Sequence, residues 1–464
     1  MSLAHGVGLC LVLTAISCSG GEKYDGPPVV VIGIDGMTWD VAAPLLEQGR
    51  MPHMAALLER GVGGDLETFV PTFSPVLWTT VATGKSTKEH GIRYFSEIGP
   101  NGQPLRDGLP YTSNSRQVPA IWNLASDAGR RVDSVAWWVS WPAEQIDNGH
   151  IVASYAAQAQ ANVLWKPLVW EEGIPELTWP PELQQEIAPI LDAGRPKGEL
   201  VEEYNERFGL IDKGWKVPYQ REIFFRGTYH ADVTHKRIFQ QLVRENGLAD
   251  LSMLYFGLPD VAGHFFWRYR EPEAYHYRVP PVMVKRIQDH IDKAYIAVDD
   301  WLGEIVADLP HDAIIMLVSD HGMGPANLNY EKAAQSGAHE DGPPGIFVLA
   351  GPQVEPQGLL PADQRVVGNL LDIAPTLLDF LRIPAEPGMS GKSMRSLLRQ
   401  NWQSEHELLP PRTAPSPFRA ATPPRVPQEG LNDDFFNAVD QLGYTESSSG
   451  GISGQNRQDS QNPN

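Results

Sequence analysis

Five short, nearly unbroken apolar runs recur along the chain, at Val29 to Ile34, Val132 to Val139, Leu251 to Gly257, Ala313 to Ser319 and Ile346 to Ala350. A strand with one face in water alternates polar and apolar residues, so runs of this kind fit strands covered on both faces, as in a parallel sheet. Segments with helical periodicity separate them, among them Met51 to Arg60 and Val282 to Asp308. Strands alternating with helices predict a doubly wound α/β fold, a three-layer α/β/α sandwich around a mostly parallel sheet. Ligands of such sheets collect at the carboxyl ends of the strands. Two of the runs end directly in an aspartate, Asp35 and Asp320, and a third reaches Asp260 three residues on.

Composition narrows the function classes. The 464 residues are 42% hydrophobic, enough for a full core, and carry a formal charge of −20, which argues against a nucleic-acid polymer as partner. A small phosphorylated substrate stays compatible, because local metal ions or dipoles override a global charge. The only cysteines, Cys10 and Cys18, precede the first strand, so a disulfide framework is excluded. Val7 to Ser17 is apolar but too short to span a bilayer, and reads as part of a signal peptide over residues 1–17. Ala15-Ile16-Ser17-Cys18 resembles a bacterial lipobox, which predicts a lipid on Cys18 and an exported, membrane-anchored lipoprotein of the cell envelope, periplasmic or outer-surface. The n-region, Met1 to Gly6, departs from the usual pattern in having no Lys or Arg. A linker over 18–27 follows, then a catalytic domain over 28–400. Within it the Trp/Pro/Glu-rich stretch 155–226 reads as an inserted cap. Residues 401–464 read as a largely disordered tail with a short helix near 433–442.

Four segments carry candidate chemistry. Ile34-Asp35-Gly36 puts a carboxylate at a strand end, followed by a residue free to turn; by itself such an Asp is more often a helix cap. Ser74 precedes Pro75 in Pro71-Thr-Phe-Ser-Pro-Val-Leu-Trp78, and reads either as a helix cap or as a nucleophile whose helix N-terminus cradles a phosphate. Asp260 and His264 stand four apart and can face one metal from one helical turn. Ser319-Asp320-His321-Gly322-Met323 ends a strand with adjacent Asp and His, a crowded polar pair that a metal would explain, and His339 follows in Gly337-Ala-His339.

Taken jointly, these segments resemble the alkaline phosphatase superfamily, and within it the type I phosphodiesterase/nucleotide pyrophosphatase-like branch that includes predicted phosphohydrolase/phosphomutase lipoproteins. His90-Gly91-Ile92, Asp372-Ile-Ala-Pro-Thr376 and Gly388-Met-Ser-Gly391 add to the likeness, which covers about residues 28 to 400. The resemblance implies the alkaline phosphatase-like sandwich and a two-metal site. Asp260, His264 and His339 would hold one ion; Asp35, Asp320, His321 and the Ser74 oxygen would hold the other. Oxygen and imidazole ligands without thiolate suit Zn²⁺, with Mn²⁺ the alternative. Two dications balance three carboxylates and a Ser74 alkoxide, so the loaded site could accept an anionic ester through a phospho-Ser74 intermediate.

Two departures bear on substrate. Nucleotide pyrophosphatases usually have a Thr nucleophile and an Asn after the His-Gly-Ile segment; here Ser74 and Phe95 stand in those places. A sulfatase maturation signature would need Pro and Arg where Val76 and Trp78 stand. Thr72 is the alternative nucleophile, although Ser74 keeps the family spacing to Gly84. The expectation is therefore a phosphodiesterase, with a phosphomutase, a phosphomonoesterase and a non-catalytic phospho-ligand-binding lipoprotein as rivals. His90 reads as structural, His311 as a surface residue, and Trp137, Trp138 and Trp141 as core or joint fillers.

Overall fold

The computed structural model describes residues 24–100, 110–157, 175–195, 199–210, 216–333 and 335–418. In chain order the strands are β1 (Val29–Ile34), β2 (Gly61–Glu67), β3 (Val132–Val135), β4 (Gly149–Val152), β5 (Thr178–Trp179), β6 (Leu251–Phe256), β7 (Ile314–Val318), β8 (Gly324–Pro325), β9 (Gly337–Ala338), β10 (Gly345–Ala350), β11 (Gly358–Leu359) and β12 (Val366–Asn369). Among the described residues the main sheet runs β11-β2-β10-β7-β1-β6-β3-β4-β5, with β12 also pairing β2. Its centre, β7-β1-β6-β3-β4, is parallel throughout, and β10 is antiparallel to both its neighbours. Every residue of β1, β6 and β7 is buried, as the unbroken apolar runs require.

Helices cover both faces. In chain order they include α1 (Trp39–Glu47), α2 (Pro52–Glu59), α3 (Ser74–Thr83), α4 (Thr87–His90), α5 (Ile121–Asp127), α6 (Leu183–Ala193), α7 (Leu200–Phe208), α8 (Lys216–Asn246), α9 (Leu258–Arg270), α10 (Pro281–Ile287), α11 (His290–Ala307), α12 (Ile373–Phe380) and α13 (Gln400–Glu405). On one side α11 packs against α1, α2 and α9, with α8 against α9; on the other α3 packs against α5 and α12. The expected three layers are present.

Several elements differ from the sequence pattern for local reasons. The run from Val132 leaves the sheet at Val135, because Ala136 and Val139 adopt left-handed backbone with φ of 65° and 58°. The periodic stretch Val282 to Asp308 is two helices, α10 and α11, interrupted at 288–289. Strand β2 has too many glycines to read as a strand, yet it needs them: a Cβ on Gly61 would lie 2.2 Å from the Leu349 carbonyl oxygen of β10.

The segment expected as a cap is described only in part. Thr178–Trp179 joins the main sheet as its β5 edge, and α8 begins inside the segment and runs through position 226 to pack on β3 and β6. Beyond residue 400 the chain stays on the body as far as it is described: Ser416 donates from its N and its Oγ to the Glu386 carboxylate, at 2.9 and 2.6 Å. Residues 1–17, Cys18 and the helix expected near 433–442 lie outside the described residues. No helix among the described residues is long and apolar enough to cross a membrane.

One buried carboxylate sets the helix that carries two candidate ligands. Asp232 of α8 accepts from the backbone N of Gly257 (3.0 Å) and of Leu258 (2.9 Å), capping α9 across the interface between the two helices. Burial pushes its pKa well above the ordinary carboxylate value, against the pull of those two amides. Asp232→Ala would leave both amides buried without an acceptor, so it should lower unfolding stability by about 2 kcal/mol. Urea unfolding checks this, with Asp232→Asn, which keeps one acceptor oxygen, recovering most of the loss.

Candidate metal centre

The site assembles where β1, β6 and β7 end. Asp35 N donates to Phe256 O (2.9 Å), extending the β1–β6 ladder by one residue and fixing where the carboxylate begins. Its Oδ2 accepts from Tyr255 Oη (2.5 Å) and Trp78 Nε1 (3.0 Å), leaving Oδ1 without a hydrogen bond and 3.3 Å from His321 Nε2. The next residue must be glycine. Gly36 has φ of +67°, and a Cβ there would lie 2.7 Å from the Asp260 Cα.

Helix α9 supplies Asp260 and His264 from one face, with Asp260 Oδ1 3.3 Å from His264 Nε2. The β8–β9 hairpin lies against this helix so closely that a Cβ on Gly337 would meet Gly263 O at 2.3 Å. Ser336 N donates to His264 O (2.7 Å) and His264 Nδ1 donates to Gly337 O (3.0 Å). This register brings His339 in, its Nε2 3.2 Å from His264 Nε2 and 3.9 Å from Asp260 Oδ1. At the end of β7, Ser319 Oγ accepts from Met37 N (2.9 Å) and donates to His321 O (2.8 Å), tying the turn after β1 to the Asp320-His321 corner.

The hydrogen bonds fix which nitrogen each imidazole presents. His264 and His321 give their Nδ1 protons to the carbonyls of Gly337 and Gly322, both at 3.0 Å. Thr72 Oγ1 donates its single proton to His339 O (3.0 Å), so the same oxygen must accept from His339 Nδ1 (2.8 Å). All three rings then turn lone-pair Nε2 atoms inward, the arrangement of metal-bound histidines held by outer partners. Ligand atoms of Asp260, His264 and His339 lie within 4.8 Å of one another, as do those of Asp35, Asp260 and His321, so Asp260 faces both groups. Asp320 Oδ2 is 3.5 Å from His321 Nε2.

The electrostatics ask for cations. Burial and then the Asp35 charge push Asp320 well above the ordinary carboxylate pKa. Burial and then Asp260 push Asp35 up, opposed by His321. Burial raises Asp260, but the charge and hydrogen bond of His264, with His321 behind them, bring it below its ordinary value, so that without a metal a proton on His264 takes the cation's place. His339 is driven well down by burial and by its two imidazole neighbours. Asp35 Oδ1, Asp260 Oδ1, both Asp320 carboxylate oxygens and His321 Nε2 are buried with no hydrogen-bond partner. Three carboxylates and inward lone pairs crowded without donors are unfavourable in the protein alone and fit divalent cations. The donor set is oxygen and imidazole nitrogen with no thiolate, a set that divalent cations accept.

Ser74 stands in the chain between two residues bonded to the two groups, Thr72 and Trp78. It is the first residue of α3, and the N-cap position falls to Phe73 without a side-chain hydrogen bond, so the Ser74 hydroxyl is not spent on capping. The amides cradle less than the helix-terminus expectation suggested: Pro75 has none, and Val76 and Leu77 donate to Phe73 O at 2.8 and 3.0 Å. Only the Ser74 amide of the first turn stays available. Two residues before it Thr72 holds His339, and one turn after it Trp78 holds Asp35, so both flanks of Ser74 are bonded to the centre.

The remaining expectations divide simply. His90 is buried and satisfied, with Ile92 N donating to its Nδ1 and Thr80 Oγ1 beside its Nε2, each at 3.1 Å; burial lowers its pKa to about 3, in line with a structural role. His311 is exposed, and Trp137 and Trp141 are buried, whereas Trp138 is half-buried. Asp232, Tyr255 and Trp78 carry supporting roles that the sequence reading missed. Trp78 had a signal, its position one turn after Ser74. Asp232 had none, since its partners lie on a different element.

Comparison with known proteins identifies the family and the fold. The model of the family described as type I phosphodiesterase / nucleotide pyrophosphatase matches residues 29–342. The 2,3-bisphosphoglycerate-independent phosphoglycerate mutase of Chloroflexus aurantiacus is 31% identical over 103 residues, 22% of this chain and 18% of that protein. The chain thus spans about a fifth of such curated relatives. A putative sulfatase from Bacteroides thetaiotaomicron shares the fold with a TM-score of 0.50 at 14% identity, covering 80% of this chain and 75% of that one. Murine ectonucleotide pyrophosphatase / phosphodiesterase 5 aligns with a TM-score of 0.47 at 14% identity, covering 80% of this chain and all of that one.

The donor set makes a direct forecast for the purified protein. It should bind two divalent transition-metal ions per chain, measured by elemental analysis after zinc loading. His264→Ala or His339→Ala should weaken one site, and Asp320→Ala or His321→Ala the other, while His311→Ala changes neither. Retention of both ions in all four ligand variants would remove the assignment.

Proposed function

The chain belongs to the type I phosphodiesterase / nucleotide pyrophosphatase family, and from that premise we propose that it is a metal-dependent phosphohydrolase, acting on diesters before monoesters through a covalent phospho-Ser74. One observation carries the reading: a serine hydroxyl released from capping and bracketed by Thr72 on His339 and Trp78 on Asp35.

Divalent ions held by Asp35, Asp260, His264, Asp320, His321 and His339 would supply positive charge for the Ser74 alkoxide and for the leaving oxygen. The protein's own part begins with Ser74 Oγ. It forms a bond to phosphorus as the ester P–O bond breaks, and the departing alcohol ends with the proton that Ser74 releases. Water then attacks the phosphoserine, releasing the phosphorylated product and restoring the hydroxyl. Tyr255 and Trp78 hold Asp35 by one oxygen, so its other oxygen keeps its aim.

The aromatic rings that adjoin Ser74 through Phe73 support the diester reading. Phe73 packs edge-on against Tyr94 (4.8 Å between ring centroids) and Phe95 (6.2 Å), Phe95 against Trp138 (5.9 Å), and Trp138 against Tyr255 (6.2 Å), the tyrosine bonded to Asp35. Phe73 and Phe95 offer no donor to a second negative oxygen of a monoester, and the Tyr255 hydroxyl is committed to Asp35. An organic ester group would meet apolar surface. Phosphomutase chemistry is the second reading, favoured by the phosphoglycerate mutase match; it differs only in passing the phosphoryl group to a hydroxyl instead of water.

Paired aryl phosphate monoester and diester substrates on the zinc-loaded protein separate these readings, with the diester turned over faster and a chelator abolishing both activities. Ser74→Ala should cut turnover on the order of a thousandfold or more while both ions and the fold persist. A phosphorylated peptide from residues 71–84, trapped with a slow diester, supports the intermediate. Near-normal turnover in Ser74→Ala overturns it.

We also propose the envelope anchor read from Ala15-Ile16-Ser17-Cys18. Wild type should partition with membranes when expressed in a bacterium, and Cys18→Ser should not. Recovery of a mature protein still carrying residues 1–17 would refute cleavage.

A further inference from the structure

We infer that Thr72 is a positioning residue that couples the nucleophile segment to the metal centre by fixing the tautomer and rotation of His339. The inference rests on reading the Asp/His cluster as a metal centre. Thr72 is 3% exposed, so its hydroxyl has no water to fall back on. Its oxygen donates to the backbone carbonyl of His339 and accepts from the ring Nδ1 of the same residue. A two-point ring of this kind holds the imidazole against both its backbone and its own rotation.

The chemistry of the tautomer gives the bond its consequence. With Nδ1 carrying the proton, Nε2 offers a lone pair toward Asp260 and His264. Without an acceptor for Nδ1–H, the neutral ring gains by moving its proton to Nε2, where it can donate to His264 Nε2 at 3.2 Å and can no longer ligate. The buried Nδ1–H would otherwise stay unsatisfied. Thr72 is therefore committed by both its proton and its oxygen, which removes it as the rival nucleophile. Because Ser74 follows two residues later, the same bond holds the entry to α3 against the loop carrying His339, so nucleophile and ligand move as one unit.

The test compares Thr72→Val, which keeps the shape and removes the hydroxyl, with Thr72→Ser, which keeps the hydroxyl, in the full chain. Zinc affinity at each of the two sites is read by chelator competition, and folding by thermal unfolding of the metal-free proteins. Thr72→Val should weaken one site about 10- to 100-fold, the site lost in His339→Ala, and leave the other near wild type. Thr72→Ser should stay close to wild type. In a His339→Ala background Thr72→Val should cost nothing further, since its effect passes through that ring. Equal zinc affinity in wild type and Thr72→Val overturns the inference, as does equal damage from Val and Ser. Should Thr72→Val fail to fold, Thr72→Ala in both backgrounds decides by the same comparison. A wild type that binds neither zinc nor manganese sinks the metal reading itself, a result distinct from a metal-binding wild type whose affinity ignores Thr72.

Discussion

Three aspartates meeting in the interior at the ends of adjacent strands form the constraint on which this structure turns. Asp35, Asp260 and Asp320 are 2%, 6% and 0% exposed, and among the described residues no Lys or Arg donates to them. Burying that much like charge costs several kcal/mol per ion unless counter-charge arrives. The protein spends much of its detail on holding the cluster open for it: hydrogen bonds take one oxygen of Asp35, and three outer acceptors take the Nδ1 protons of the histidines. What remains faces inward.

The scaffold follows from the same demand. Carboxylates converge only if their strands are neighbours, and the order β7-β1-β6 places the ends of all three side by side. The glycines beside the ligands act where a side chain would part the elements. Gly36 lets the β1 turn touch α9, and Gly337 lets the β8–β9 hairpin touch it from the other side. Asp232 completes the arrangement from beneath by capping α9, so two of the ligands hang from a helix whose own start is fixed by a buried carboxylate.

A separate layer of aromatic rings adjoins the Ser74 segment. The ring sequence Phe73, Tyr94, Phe95 and Trp138 reaches from the residue before Ser74 to Tyr255, where it joins the hydrogen bonds of Asp35. Trp138 gains its half-exposed place because Ala136 and Val139 leave the extended conformation. Left-handed backbone at a β-branched residue such as Val139 costs about 1–3 kcal/mol and is found where surrounding structure over-determines it, often beside a functional site. The same loop that ends a strand therefore presents the aromatic surface.

The amino-acid sequence by itself determined the layer architecture and the candidate ligands. Buried parallel strands must be apolar without alternation, and a metal ligand must be one of a few residue types, so both leave marks in the order of residues. Asp35, Asp260, His264, Asp320 and His321 stood out by position, at or near a strand end or one helical turn from another, while His339 and the grouping of the six into a site came from the resemblance to the family. Tertiary structure alone decided that Asp260 faces both groups, that Thr72 serves His339, that Ser74 is freed from capping, and that α8 runs through a stretch that reads as cap. These depend on pairs such as Asp232 with Gly257, or Thr72 with His339, separated by many residues and joined by single hydrogen bonds. A hydrogen bond between distant residues constrains only two positions and has no period, so nothing in the linear pattern announces it until the sheet has brought its ends together.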